Sequence, residues 1–261
     1  MNLRLQEKII VVTGGASGIG EGICRKLAEE GAIPCILDRD ERNTLRVTSE
    51  IAHAYGITPF YHLMDLTDAA ACKEAVSVVL AKFGRVDGLV NNAGINDGVG
   101  LENGTYEKFA GSLDKNVGHY FSIANAVLPA LKTSVGAIVN ICSKTAITGQ
   151  GGTSGYAAAN GERLTLTEEW SAELRKYGIR VNGVVVAECM TPQYQWWIGQ
   201  QTDPEARLRE IVAKIPLENR MTTAEEIANM VAMLLSTVSA TVNGQLLHVD
   251  GGYVVLDRAA S

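Results

Sequence analysis

A chain of 261 residues with 46% hydrophobic content is long enough to close one large core, and no linker or repeat divides it. A formal net charge of −6 without a basic run argues against nucleic acid and anionic membrane surfaces as partners, which leaves a small molecule. The first apolar run is too short for a signal-peptide core or a bilayer span, and five scattered cysteines without a CxxC pair fit reduced, packed thiols rather than disulfides or a zinc site, so a cytoplasmic protein with no metal is expected.

In chain order, β-branched runs at 9–12, 33–37, 59–64, 88–90, 137–142, 179–186 and 245–249 read as strands, and the stretches between them carry apolar residues at helical spacing. This alternation predicts a single-domain, doubly wound (Rossmann) α/β fold over 1–261. Its parallel sheet has about seven strands with helices on both faces, and ligands lie beyond the carboxyl ends of the strands.

After the first strand comes a glycine-rich turn that includes Gly14, Ser17, Gly18, Ile19 and Gly20, with a helix starting near Gly18. Such a turn lets backbone approach a pyrophosphate, while the helix start offers free N–H groups to its charge; the glycine spacing differs from GxGxxG. Asp38 ends the second strand, where a carboxylate accepts bonds from ribose hydroxyls and repels a 2′-phosphate. That favours NAD over NADP, although the adjacent Arg39 works the other way. Asp65, with Leu66, follows the third strand and is placed either to meet an adenine amino group or to make the turn before Thr67.

Ser143 follows the fifth strand and Tyr156 opens the next long helix, a hydroxyl pair suited to carbonyl or alcohol chemistry. Lys144 beside them reads as a loop lysine or as a substitute cation, and His119 reads as a core histidine. The segment 189–214 breaks the alternation and is expected to cover the substrate. Asn96, Gln150, Glu188, Tyr194 and Trp197 are the candidates to line that mouth: Glu188 to take two hydroxyls of a polyol, the aromatics to face a sugar ring.

TGGASGIG at 13–20, Asp65-Leu66, the NNAG stretch at 91–94, Asn116, Ser143, Tyr156 and VDGG at 249–252 resemble the short-chain dehydrogenase/reductase family in order and spacing. The resemblance covers nearly the whole chain. It implies that Asn92, Ala93 and Gly94 lie against the cofactor, that Thr191 meets the nicotinamide carboxamide, and that Tyr156 is the base and Ser143 the oxygen holder. It also implies that Asn116 supports a water relay.

Where the family carries a lysine four residues after the tyrosine, this chain has Asn160. An amide is expected to keep a ribose contact but to bring no charge. A free tyrosine, with pKa near 10, is only about 0.1% ionised at neutral pH. Within the family, the segments around 143–151, 186–188, 215–223 and 250–258 resemble L-fucose dehydrogenase and related bacterial sugar dehydrogenases. That implies oxidation of a sugar hydroxyl, with a 3-oxoacyl or small-alcohol reductase, or a dinucleotide binder without turnover, as the other readings. The last strand and tail, 249–260, resemble the segment through which family members form dimers or tetramers, so a homo-oligomer is expected.

Overall fold

Alternate residues of β1 (Ile9–Thr13) divide the molecule: Ile10 and Val12 pack into one apolar cluster, Ile9 and Val11 into another on the opposite face. This is the two-residue period of a strand covered on both sides. The computed structural model describes residues 2–256, and residues 257–260 of the tail expected at the subunit contact lie outside the described residues. Seven parallel strands form one sheet: β1, β2 (Ile33–Asp38), β3 (Phe60–Leu63), β4 (Gly88–Asn91), β5 (Ala137–Ser143), β6 (Arg180–Val186) and β7 (Leu246–Val249). Their order is β3-β2-β1-β4-β5-β6-β7, as expected for a doubly wound sheet.

One face carries α1 (Gly18–Glu29), α2 (Glu41–Tyr55) and α9 (Ala224–Leu235); the other carries α3 (Ala69–Phe83), α5 (His119–Ser134) and α6 (Ser154–Leu174). Local chemistry fixes the helix ends. Asp40 and Asp68 accept from backbone N–H groups at the starts of α2 and α3, Gly56 and Gly84 end them in the left-handed conformation, and Thr223 and Glu226 form a capping box on α9. α4 (Tyr106–Leu113) runs into α5 through a π-helical turn at Asp114–Gly118. The segment 189–214 is more regular than its sequence suggested: two short helices, α7 (Pro192–Gly199) and α8 (Pro204–Val212), each begin with proline behind a side-chain cap, Thr191 and Asp203. No described helix is long and apolar enough to cross a membrane.

The strand order reverses between β1 and β4, where connections leave in opposite directions and open a crevice at the carboxyl ends. The turns after β1 and β4 and the end of β5 all face that crevice.

Candidate active site

Backbone contacts build the dinucleotide side. Gly14 and Gly18 have φ of 66° and 55°, and a Cβ at Gly14 would lie 3.0 Å from Ala93, one at Gly18 3.2 Å from Thr191. Only glycine combines that conformation with so close an approach. A Cβ at Gly20 would sit 2.0 Å from the Gly14 carbonyl. Ser17 precedes α1 in an extended conformation without a side-chain bond to the helix, so the first N–H groups of α1 remain open, as a phosphate requires. Ile19 packs into the core behind the turn.

Asn92 serves this turn rather than reaching out of it. Its amide donates to the carbonyls of Thr13 (3.0 Å) and Gly14 (3.1 Å), while its own N–H and that of Ala93 donate to the Thr13 hydroxyl. Asp38 accepts from the N–H of Ala16 and of Asp40, each at 3.0 Å, so one carboxylate braces the glycine turn and faces the place where the ribose is expected. Arg39 is exposed and points toward Asp65, 4.0 Å away. Asp65 makes the turn that its sequence allowed: it accepts from the N–H and hydroxyl of Thr67, which hold its carboxyl below the usual carboxylate range. Leu66 is half-buried against the core.

At the chemical end, Ser143 is the last residue of β5 and its Oγ accepts from Thr145 N (3.2 Å) and Thr145 Oγ1 (3.1 Å). With those acceptor positions used, the serine keeps its own hydrogen to donate. Thr145 was not legible as a functional residue in the sequence, because its role exists only through this turn. Tyr156 lies in the first turn of α6 and is half-buried.

One expectation is corrected here. Asn160 is fully buried; its amide donates back to the Tyr156 carbonyl at 2.9 Å and its oxygen accepts from Arg163 at 3.2 Å, so no surface remains for a ribose hydroxyl. Asn116 is also fully buried, and its side chain and carbonyl are taken by protein partners. Its Oδ1 accepts from Ile95 N, its Nδ2 donates to the Ile95 and Ser112 carbonyls, and its own carbonyl is taken by the guanidinium of Arg163. Arg163 is thus a site residue that motif matching passes over. Its signal is a charge within the stripe Ala159, Arg163, Thr167, Trp170, Leu174, which is otherwise uncharged and buried along α6. Gly94 is required by the same packing, since a Cβ there would lie 2.5 Å from the Arg163 guanidinium. His119 is a core histidine as read, its imidazole brought down to about 3 by burial and then by the Arg163 charge.

The substrate mouth differs from its reading as well. Lys144 is not a solvated lysine: it is buried, ion-paired with Glu188, and 3.6 Å from the ring centre of Tyr253. Glu188 is accordingly no loose surface charge. Burial, and then the Glu188 carboxylate, push the Tyr194 phenol upward, and Tyr194 meets Trp197 edge to face at 5.4 Å. Thr191 caps α7 through Tyr194 N and lies against Gly18, which puts it between the glycine turn and α7. Asn96 turns back onto Gly98 N, and Gln150 is exposed on the loop before α6. No described cluster of His, Cys, Asp and Glu fits a metal ion.

A family model described as enoyl-(acyl carrier protein) reductase matches residues 14–254. Curated relatives include the 3-oxoacyl-(acyl-carrier-protein) reductase FabG of Thermotoga maritima, 33% identical over 97% of this chain and 100% of that protein. The L-fucose dehydrogenase of Bos taurus is 30% identical over 100% of this chain and 94% of its own. Among solved structures, Cj0485 dehydrogenase superimposes with a TM-score of 0.93 at 38% identity, covering 99% of this chain and 98% of that one.

Proposed function

Because the chain belongs to the short-chain dehydrogenase/reductase family, whose members act on CH–OH groups with a nicotinamide dinucleotide, we propose that its reaction is the oxidation of a sugar hydroxyl, with an L-fucose-like pyranose becoming a lactone and NAD accepting the hydride. The glycine cradle and the open start of α1 suit the dinucleotide, and Asp38 is the residue that would take the adenosine ribose. When bound, the nicotinamide supplies the hydride acceptor. The protein supplies the rest: Tyr156 takes the hydroxyl proton, and Ser143 donates its free hydrogen to the same oxygen and keeps the carbon aligned. Thr191, between the glycine turn and α7, would orient the carboxamide.

The observation that carries the sugar reading is the wall beside Ser143. A half-buried carboxylate, Glu188, stands with Lys144, Tyr194 and Tyr253, and the Tyr194–Trp197 pair lies next to it. Carboxylates take neighbouring hydroxyls in pairs, and aromatic faces pack on the C–H face of a pyranose. A 3-oxoacyl or small-alcohol reductase is the second reading, favoured by the full-length likeness to the Thermotoga FabG.

A panel of aldohexoses, 6-deoxyhexoses, cyclic alcohols and a 3-oxoacyl thioester, each run with both nicotinamides, separates these readings. We expect turnover with a 6-deoxy or related aldopyranose and NAD, and a loss of about 10²–10⁴-fold in Tyr156→Phe. Thioester reduction with NADPH and no sugar oxidation would replace the first reading by the second, and an unaltered rate in Tyr156→Phe would remove the assignment of the base.

A further inference from the structure

Arg163 is the single charged side chain on the buried face of α6, and it is only 2% exposed. Its Nε and Nη2 donate to the Asn116 carbonyl, Nη1 to the Ile141 carbonyl and to Asn160 Oδ1, and Nη2 also to the Ala93 carbonyl. Every one of these acceptors is a neutral oxygen, and no carboxylate among the described residues pairs with it. Taking a guanidinium out of water without an anion is costly, and charges of this kind collect where a reaction develops the opposite charge.

The neighbours do not supply that anion. His119 and Tyr120 face the guanidinium from α5 and Cys142 from β5. Burial, aided by Arg163, brings His119 down to about 3, while burial lifts Tyr120 well above the usual tyrosine range and Cys142 up to about 12. All three are uncharged through neutral and mildly alkaline pH. The charge of Lys144, beside Ser143, is answered by Glu188.

Tyr156 is the remaining titratable group on the same helical face. Arg163 follows it by seven residues, nearly two turns and about 10 Å of rise, and helical side chains lean back toward the N-terminus. The guanidinium reaches Asn160, whose amide in turn holds the Tyr156 carbonyl. The guanidinium also lies 4.4 Å from the Tyr120 ring, so Arg163 is held beneath the same stretch of α6 that carries Tyr156 and Asn160.

We propose that Arg163 is the standing cation of this site: fixed by Asn116, Ile141, Ala93 and Asn160, it stabilises the negative charge that gathers on the Tyr156 oxygen as that oxygen gives up its proton. It is a positioning residue that acts through its field, and it answers for the charge that Asn160 does not carry. The inference rests on Tyr156 as the base but not on which alcohol is oxidised.

Three variants test it: Arg163→Met, Arg163→Gln, which keeps an amide donor, and Arg163→Lys, which keeps the charge but loses most of the bonds. In the neutral variants the rising limb of the rate against pH should move up by about one unit, with about a tenfold loss at neutral pH; Arg163→Lys should keep the parental limb. A readout without turnover is the ratio of dissociation constants for oxidised and reduced NAD, followed by protein fluorescence. Oxidised nicotinamide is cationic, so Arg163→Met and Arg163→Gln should favour the oxidised form severalfold relative to the reduced one. If Arg163→Met does not fold, the Gln and Lys pair carries the same comparison. An equal loss at every pH in Gln and Lys, with the binding ratio unchanged, would reduce Arg163 to a structural tie and overturn the proposal. Should no sugar be oxidised while the ratio still responds, the sugar reading falls and the cation stands.

Discussion

In the proposed reaction Asp38 would serve both structure and selectivity. Its two oxygens brace Ala16 and Asp40, and in the proposed reading the lone pairs that remain take the adenosine ribose, where a 2′-phosphate would meet like charge. NAD should therefore bind more tightly than NADP, and Asp38→Ala should narrow the difference by about 1–3 kcal/mol, or roughly 10- to 100-fold in the ratio of dissociation constants. Titration calorimetry with both nucleotides checks this, and equal affinities in the unmodified protein would remove the assignment. Residues of this kind were legible because their chemistry is local: a glycine turn after a strand, a carboxylate at a strand end, a serine and a tyrosine around one loop. Arg163, Thr145 and the Lys144–Glu188 pair were not, because their meaning comes from what the fold brings beside them. Arg163 gathers acceptors that lie up to 70 positions away in the chain, and Lys144 meets a carboxylate 44 positions on. The same limit explains why Asn160 was read as a ribose ligand: its position in the motif was visible, but not the arginine that draws its side chain inward.

At the level of elements, all seven strands were readable because a parallel sheet covered on both faces leaves near-continuous β-branched runs. The helices α7 and α8 were less so, since two short segments behind Thr191 and Asp203 look irregular in a sequence rich in proline and aromatics. One ion cluster joins the sheet's other end. Asp87, just before β4, accepts from Ile9 N at the start of β1 and from Lys8, and pairs with Arg85. Burial works against its charged form, but Arg85, the Ile9 N–H and Lys8 outweigh it and hold the carboxyl below the usual range. A carboxyl depressed in the folded state adds stability that is complete above the unfolded value of about 3.9 and is lost as pH falls through the folded value. Asp87→Asn should therefore lower stability by about 1–3 kcal/mol at neutral pH, and the gap from the parent should narrow as pH falls below the unfolded carboxylate value. Urea midpoints measured across that range test the sign. Because the cluster lies at the sheet end away from the crevice, turnover well below the melting temperature should not change.

For the whole molecule, the question is what happens at the open edge of the sheet. β7 is the last strand of the order, with β6 on one side of it; its Leu247 and Val249 are only partly buried although they pack against a core that is closed elsewhere, and Leu246 on the other face is half-buried too. An edge strand left with unpaired backbone groups and apolar side chains invites pairing, and proteins manage such edges by covering them. The chain leaves β7 through Gly251 and Gly252, both at positive φ, which turn it back so that the Gly251 carbonyl accepts from Leu217 N at 3.0 Å, and Val255 stands 79% exposed just beyond. A second copy related by a two-fold axis would cover this edge with the same surface it offers, the closed arrangement that identical subunits favour. Tyr253 belongs to the same turn and also rests on Lys144, so such a contact would reach the substrate mouth from behind. We therefore expect a dimer or tetramer by light scattering at micromolar concentration, and expect Leu246→Lys, at a half-buried position of the edge strand, to shift the population toward smaller species. A monomer in the unmodified protein would mean that no partner covers the β7 edge.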